Sequence, residues 1–351
     1  MNEHTARLGR NRIPMPVRYL INGILIAALI AFSAAASTMG LLTSYYSGVL
    51  VLVGINIILA VSLNISTGYL GQLPLGHAGF MAVGAYTGGI FLKAAEAGDA
   101  AGPAYVFLVV AALLLSGIVA GIFGIIIGVP ALRLKGDYLA IITLGFGEII
   151  RVILNNIDSV LGFSFTYGAS GLKRIPAIST LPLVTVCVVA TCLVIHMVMK
   201  SRHGRAILSI RENEIAAEAC GISTTYYKTM AFVMSAFFAG IAGCLYAGYL
   251  RSLVPNTFDF MKSIEILIMV VLGGMGSMLG SVLSASVLTI LPEALREFAD
   301  YRMVVYSVVL IAVMIFRPKG LLGTYDFSLS RILEKLLNMI SPSRRKEGDG
   351  K

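Results

Sequence analysis

The chain has 351 residues, 57% of them hydrophobic and 13% charged, with a mean hydropathy of +0.87 and a formal net charge of +9. A soluble domain carries about 25% charged residues, so an ordinary globular fold is excluded. A β-barrel is excluded too, because its strands would be roughly 10-residue segments of alternating polarity, whereas the apolar residues here come in runs of roughly 16–25, enough to cross a hydrocarbon core. The composition gives an all-α polytopic membrane protein with no room for a soluble domain of normal size.

In chain order, spans are expected near 19–37, 47–65, 77–93, 104–128, 137–155, 181–199, 228–250, 264–276, 279–291 and 303–316. The eighth and ninth are short and flank Gly273, Gly274, Gly276 and Gly280, so they form a re-entrant pair or two crossings, and the total is 8 to 10. The basic N-terminus lacks a small-residue cleavage site after a short apolar run, so the first span is expected to be retained. A segment 1–18 precedes the spans, the membrane domain covers 19–323, and a polar tail follows over 324–351. Within the tail, Ser328–Ile340 has the spacing of a membrane-surface helix, and the last residues read as disordered.

The charges set the orientation. With both termini inside, 19 of the 27 Lys and Arg residues fall on the inner side: ahead of the first span, at 129–137, in the loop 200–228, and from Arg317 onward. This agrees with the positive-inside rule and explains the net charge without nucleic acid. An odd span count would put the 200–228 loop and the C-terminus on opposite sides.

Between the second and third spans the chain reads "GYLGQLPLGHAGF", Gly68 to Phe80. Pro74 removes a backbone donor and discourages helix through Leu73, and the glycines permit close or left-handed backbone. Irregular backbone at membrane depth survives only when buried in protein or lining a water-filled cavity. His77 is either a hydrogen-bonding group at a helix start or part of a gate. Asn64 and Gln72 flank it as further candidates for a path, and Asn56 shares a face with Asn64.

The fifth span, "YLAIITLGFGEIIRVILNN", contains ten Ile, Leu, Val or Phe residues. They favour insertion by roughly 3–6 kcal/mol, while Glu148 and Arg151 each cost about 2.5–3.5 kcal/mol at the centre. The terms nearly cancel, so this helix should not face lipid. Three residues apart, the two charges share a face and pair. They are either a sheltered ion pair or a polar patch on a translocation path, and Glu265 is ambiguous in the same way. Small residues at four-residue spacing (Gly84 and Gly88; Gly117, Gly121, Gly124 and Gly128; Ala236 and Gly240) predict closely packed helices.

The loop "KSRHGRAILSIRENEIAAEACGISTTYYK", 200–228, is the largest polar segment between spans. Asn213 is placed to cap a short helix, Glu214 lies in its first turn, and Gly221 ends it at the left-handed position. Ile207, Ile210, Ile215, Ala216 and Ala219 give it an apolar side, which docks on a soluble partner or lies at the headgroups. No phosphate-binding GxxxxGK[ST] occurs, and "GGMGSMLG" at 273–280 misses the dinucleotide spacing. Four histidines leave little material for a metal site. The four cysteines lack metal or redox spacing and read as unpaired packing residues.

Several of these stretches together, "LNISTGYLGQLPLGHAGFMAVGAYTGGI", "GDYLAIITLGFGEIIRVILNN", "GRAILSIRENEIAAEACGI" with "AFVMSAFFAGIAGCLYAGYL", and "VLGGMGSMLGSVLSASVLTILPEALRE" with "FRPKGLLG", resemble the LivM-like permease subunits of branched-chain amino acid ABC importers. The resemblance runs from about residue 50 to 323. It implies an importer permease fold in a bacterial inner membrane, a second homologous permease, two cytoplasmic ATP-binding subunits and a periplasmic substrate-binding protein docking near 156–180 and 251–263. It implies no cofactor and no catalytic site of the chain's own. It makes the 200–228 loop the segment that couples to the ATPase, with Arg205, Arg211, Glu214, Ile215, Ala216, Ala219 and Gly221 as its candidates. The EAA-x3-G signature is only partly kept: Ala216, Ala217 and Gly221 hold their spacing, but Glu214 stands one place early. A urea or short-amide permease of the same architecture, or a self-sufficient secondary transporter with broken helices, is the competing reading. A membrane enzyme fits worst, since no nucleophile–base set is visible.

Overall fold

The computed structural model describes residues 15–38, 43–95, 102–134, 136–161, 166–296 and the single positions 307, 308, 311, 315 and 320. Most of the expected tenth span, 303–316, the first fourteen residues and the tail 324–351 with its surface helix lie outside the described residues.

The helices are α1 (Met15–Thr38), α2 (Ser44–Asn64), α3 (His77–Ala94), α4 (Pro103–Ala131), α5 (Asp137–Leu161), α6 (Leu181–Lys200), α7 (Arg202–Glu212), α8 (Glu214–Ala219), α9 (Thr224–Leu250), α10 (Phe260–Gly273) and α11 (Met278–Ala294). Among the described residues, the remaining ordered elements are a π-turn at Ile65–Tyr69, two 3-10 turns, and a two-residue antiparallel pair of β1 (Leu172–Lys173) and β2 (Ser252–Leu253). Among the described residues, four helices are long and apolar enough to cross a membrane: α2 with its π-turn, α4, α6 and α9.

Two helices hold the centre. α2 packs against α6, α9, α10 and α11, and α9 packs against α2, α3 and α4. Every residue of α2 from Val53 onward is buried, as a helix apolar on all sides requires. α4 is the opposite case. One side exposes Phe107, Leu114, Ile118, Ile122 and Ile126, a surface suited to lipid. The other side is the glycine row, against which α9 lies.

The small-residue spacing does what it predicts. A Cβ on Gly84 would overlap the backbone of Gly240, and one on Gly124 would sit 2.8 Å from Ala236 Cβ. Backbone contact of this kind supplies van der Waals attraction, which must hold helices together where lipid is as apolar as leucine.

α10 and α11 have 14 and 17 residues, so at about 1.5 Å per residue they rise roughly 21 and 26 Å, short of a full core of about 30 Å. They run antiparallel around the 274–277 turn, where Ser284 Oγ donates to Met269 O. Tyr86 OH, halfway along α3, donates to Leu253 O at 3.4 Å, and Leu253 itself is fully buried. The β1–β2 pair therefore lies against the middle of α3, with Leu172 and Leu253 buried and Lys173 and Ser252 exposed. Two-residue strands carry no periodicity, so the sequence gives no sign of them.

α5 continues to Leu161, past its expected end near 155. The polar residues there are absorbed by the helix: Asn156 Nδ2 donates to Val152 O and Ser159 Oγ to Asn156 O. The loop 200–228 is more ordered than expected. Ser201 caps α7, its Oγ accepting from His203 N and Gly204 N at 3.2 and 3.5 Å.

Candidate functional site

The break between α2 and α3 begins as a π-turn. π-bulges are frequent at functional sites, and here the chain stays irregular through Pro74 and Gly76 until His77 opens α3. Three distant segments converge on this break. Asn64 Oδ1 accepts from Gly276 N at 2.9 Å, and because a backbone N–H only donates, this fixes which way the amide points. Arg211 Nη1 donates to Gly68 O at 2.7 Å. A Cβ on Gly68 would overlap both Asn64 Oδ1 and Gly276 N, so the π-turn and the α10–α11 turn touch backbone to backbone. Gly276 has φ +88 and Gly71 has φ +77, which favour glycine at both positions.

One turn along α2, His77 is 2% exposed and its Nε2 lies 3.1 Å from Ser62 Oγ. Ser62 Oγ also lies 2.9 Å from Leu59 O, so the hydroxyl bridges the α2 backbone and the His77 ring. The first turn of α3 is tied down further: Ala78 N donates to Ser263 Oγ and Leu75 N to Thr143 Oγ1. These serines and threonines were not singled out from the sequence. Their signal is a hydroxyl within an apolar run, which is also how a merely packed helix looks.

Gln72 N–H donates to Ser66 O. Asn64 Nδ2, Ser66 Oγ and Gln72 Oε1 are buried and have no hydrogen-bond partner among the described residues. Of the predicted path residues, Asn64, Gln72 and His77 therefore gather at the break.

The charged candidates lie elsewhere. Arg151 Nε is 2.7 Å from Glu148 Oε2, and each side chain is about one-third exposed. Arg151 Nη1 also donates to Asn256 Oδ1 at 2.8 Å, so the guanidinium joins α5 to the 3-10 turn ahead of α10. Glu265 pairs with Lys262 at 2.9 Å on α10.

The loop helices form a second site at the same end as the break. α8 is closed at both ends: Asn213 Oδ1 accepts from Ala216 N at 3.0 Å, while Gly221 N donates to Glu218 O and Ile222 N to Ala217 O, with Gly221 at φ +80. This is a Schellman ending. Cap, first-turn Glu214 and terminal glycine stand where the sequence places them. The expected single apolar side is divided, however. Ile207 and Ile210 of α7 are buried in the bundle, as is Ala217, whereas Ile215 is 77% exposed and Ala216 and Ala219 are also exposed. The α7–α8 bend at Asn213, which has extended φ and ψ, turns the two apolar strips apart.

Arg205 folds back to donate to Lys200 O at 3.3 Å, closing the end of α6. Lys228 and Thr224 of α9 grip α8 through Glu214 and Glu218, both at 2.6 Å.

Compared with known proteins, residues 45–316 match the family model described as branched-chain amino acid transport system / permease component. The chain is 36% identical over 297 residues to the high-affinity branched-chain amino acid transport system permease protein LivM of Salmonella typhimurium, covering 76% of this chain and 68% of that one. The Escherichia coli LivM matches with the same identity and coverage. The Escherichia coli LivH permease protein is 33% identical over 126 residues, 35% of this chain and 40% of its own length.

Proposed function

The chain belongs to the branched-chain amino acid transport system permease family, and we propose that it is the permease subunit of an ABC importer carrying leucine, isoleucine and valine across a bacterial inner membrane. It works beside a second, homologous permease and is driven by two cytoplasmic ATP-binding subunits, so ATP is hydrolysed in the partners. A periplasmic binding protein delivers substrate on the outer side, at segments 156–180 and 251–263. The α7–α8 end faces the cytoplasm, as do both termini, in keeping with its five Lys and Arg residues between 200 and 228.

The observation that carries this reading is α8. Six residues long, it is capped at both ends, tied to α9 by two side-chain contacts, and presents Ile215, Ala216 and Ala219 outward. A free surface helix has no use for an exposed isoleucine held so firmly; a helix that must push on the bundle has. ATP-driven movement of the partner presses α8, α8 carries α9 and α7 with it, and the central α2–α9 packing transmits the shift as two halves rock around the path. Asn64, Gln72 and His77 form the inner mouth, and Glu148, Arg151 and Glu265 are polar groups along the path. Such a path need pass only a small zwitterion, and choice among amino acids rests mainly with the binding protein.

The test is Ile215→Asp with Ala219→Asp. Both side chains are exposed, so the fold should persist. The ATP-binding subunits should no longer co-purify with the permease, and coupled ATP hydrolysis should disappear. Unchanged co-purification and unchanged coupled hydrolysis refute the coupling role.

A further inference from the structure

Arg211 does not sit on the face that α8 presents. Its side chain turns back to the break: Nη1 reaches Gly68 O at 2.7 Å, Cγ lies 3.0 Å from where a Cβ on Gly71 would be, and Nη1 lies 2.9 Å from where one on Gly276 would be. One arginine side chain thus rests on all three segments, its stem against the loop after the π-turn and its guanidinium between the π-turn and the α10–α11 turn. Its own helix, α7, is anchored by buried Ile207 and Ile210 and leads straight into α8. Asn64 closes the same junction from the other side through Gly276 N.

We propose that Arg211 is a positioning residue that latches the inner mouth to α7, so that movement of α7 makes or breaks its hold on Gly68 and Gly276. This rests on the coupling reading of α8. Two features suit the junction to movement. The π-turn is a local departure from the helix ladder. The contact to Gly68 is a single charge-assisted bond to a backbone carbonyl, which a small rotation of α7 ends. Arginine suits the role because its guanidinium keeps its charge and reaches the Gly68 carbonyl while packing close to Gly276.

The experiment uses the full transporter (both permeases, both ATP-binding subunits and the binding protein) in proteoliposomes, with leucine imported per ATP hydrolysed as readout. Arg211→Met should leave the ATP-binding subunits bound and lower that ratio by about tenfold, the scale of losing one hydrogen bond to a charged group. Arg211→Lys should recover part of it. A wild-type ratio in Arg211→Met overturns the latch. Loss of the ATP-binding subunits in Arg211→Met also overturns it, since Arg211 would then be a docking contact. The coupling reading fails separately, when Ile215→Asp with Ala219→Asp leaves the subunits bound.

Discussion

Lys228 Nζ lies 2.6 Å from Glu214 Oε1, and the two side chains are unequally sheltered: the lysine is 6% exposed and the glutamate 28%. The pair joins the first turn of α9 to the first turn of α8. Its asymmetry decides what each half is worth. Glu214→Gln leaves an ammonium buried without its counter-charge, whereas Lys228→Met leaves a carboxylate that still reaches water.

Breaking a buried pair from one side costs about 3–5 kcal/mol, and partial exposure reduces that here to about 1–3 kcal/mol. Glu214→Gln should therefore lower the melting temperature of the detergent-solubilised permease more than Lys228→Met, and the double variant should return to the Lys228→Met value. Equal losses in the two single variants, measured by thermal unfolding, contradict the pairing described.

The glycine rows give a second, internally controlled prediction. A Cβ at Gly84 would overlap Gly240 backbone, whereas one at Gly121 meets only Val233 and Phe237 side-chain atoms at 3.7 and 3.9 Å, ordinary contact. Gly84→Ala should force α3 and α9 apart at a cost of about 1–3 kcal/mol. Gly121→Ala should be neutral, or stabilising by up to about 1 kcal/mol through helix propensity. Thermal unfolding of both proteins side by side checks this, and a Gly121→Ala loss as large as that of Gly84→Ala would show that spacing rather than contact is what matters.

These cases also mark what the sequence made legible. Helices, their order and the close crossings follow from hydropathy and small-residue spacing, because in lipid those are the forces at work. α8 was readable because capping is local: Asn213 and Gly221 act within a few residues of themselves. The inner mouth was only half readable. Pro74 and the glycines announce a break, but that Gly276 and Arg211 close on it depends on contacts separated by 212 and 143 positions. The split between Ile210 and Ile215 was hidden for a related reason. A single extended residue at Asn213 rotates one helix against the next, and side-chain periodicity does not cross such a bend.

The Glu148–Arg151 pair is where a structural role and a transport role make different predictions. Both groups are one-third exposed in the chain, and Arg151 also holds Asn256. Replacing both by leucine removes two charges together and leaves no unpaired ion, which is commonly neutral or stabilising for the fold. The Glu148→Leu/Arg151→Leu permease should therefore assemble and melt at or above the wild-type temperature. If the pair is a polar patch on the path, leucine uptake into proteoliposomes should nevertheless fall by about tenfold or more, the scale expected when a hydrogen bond to a charged group is lost. Glu148→Gln alone should reduce uptake as well, because Arg151 then keeps Asn256 but loses its counter-charge. Wild-type uptake by the double-leucine permease would make the pair purely a packing device and remove α5 from the path.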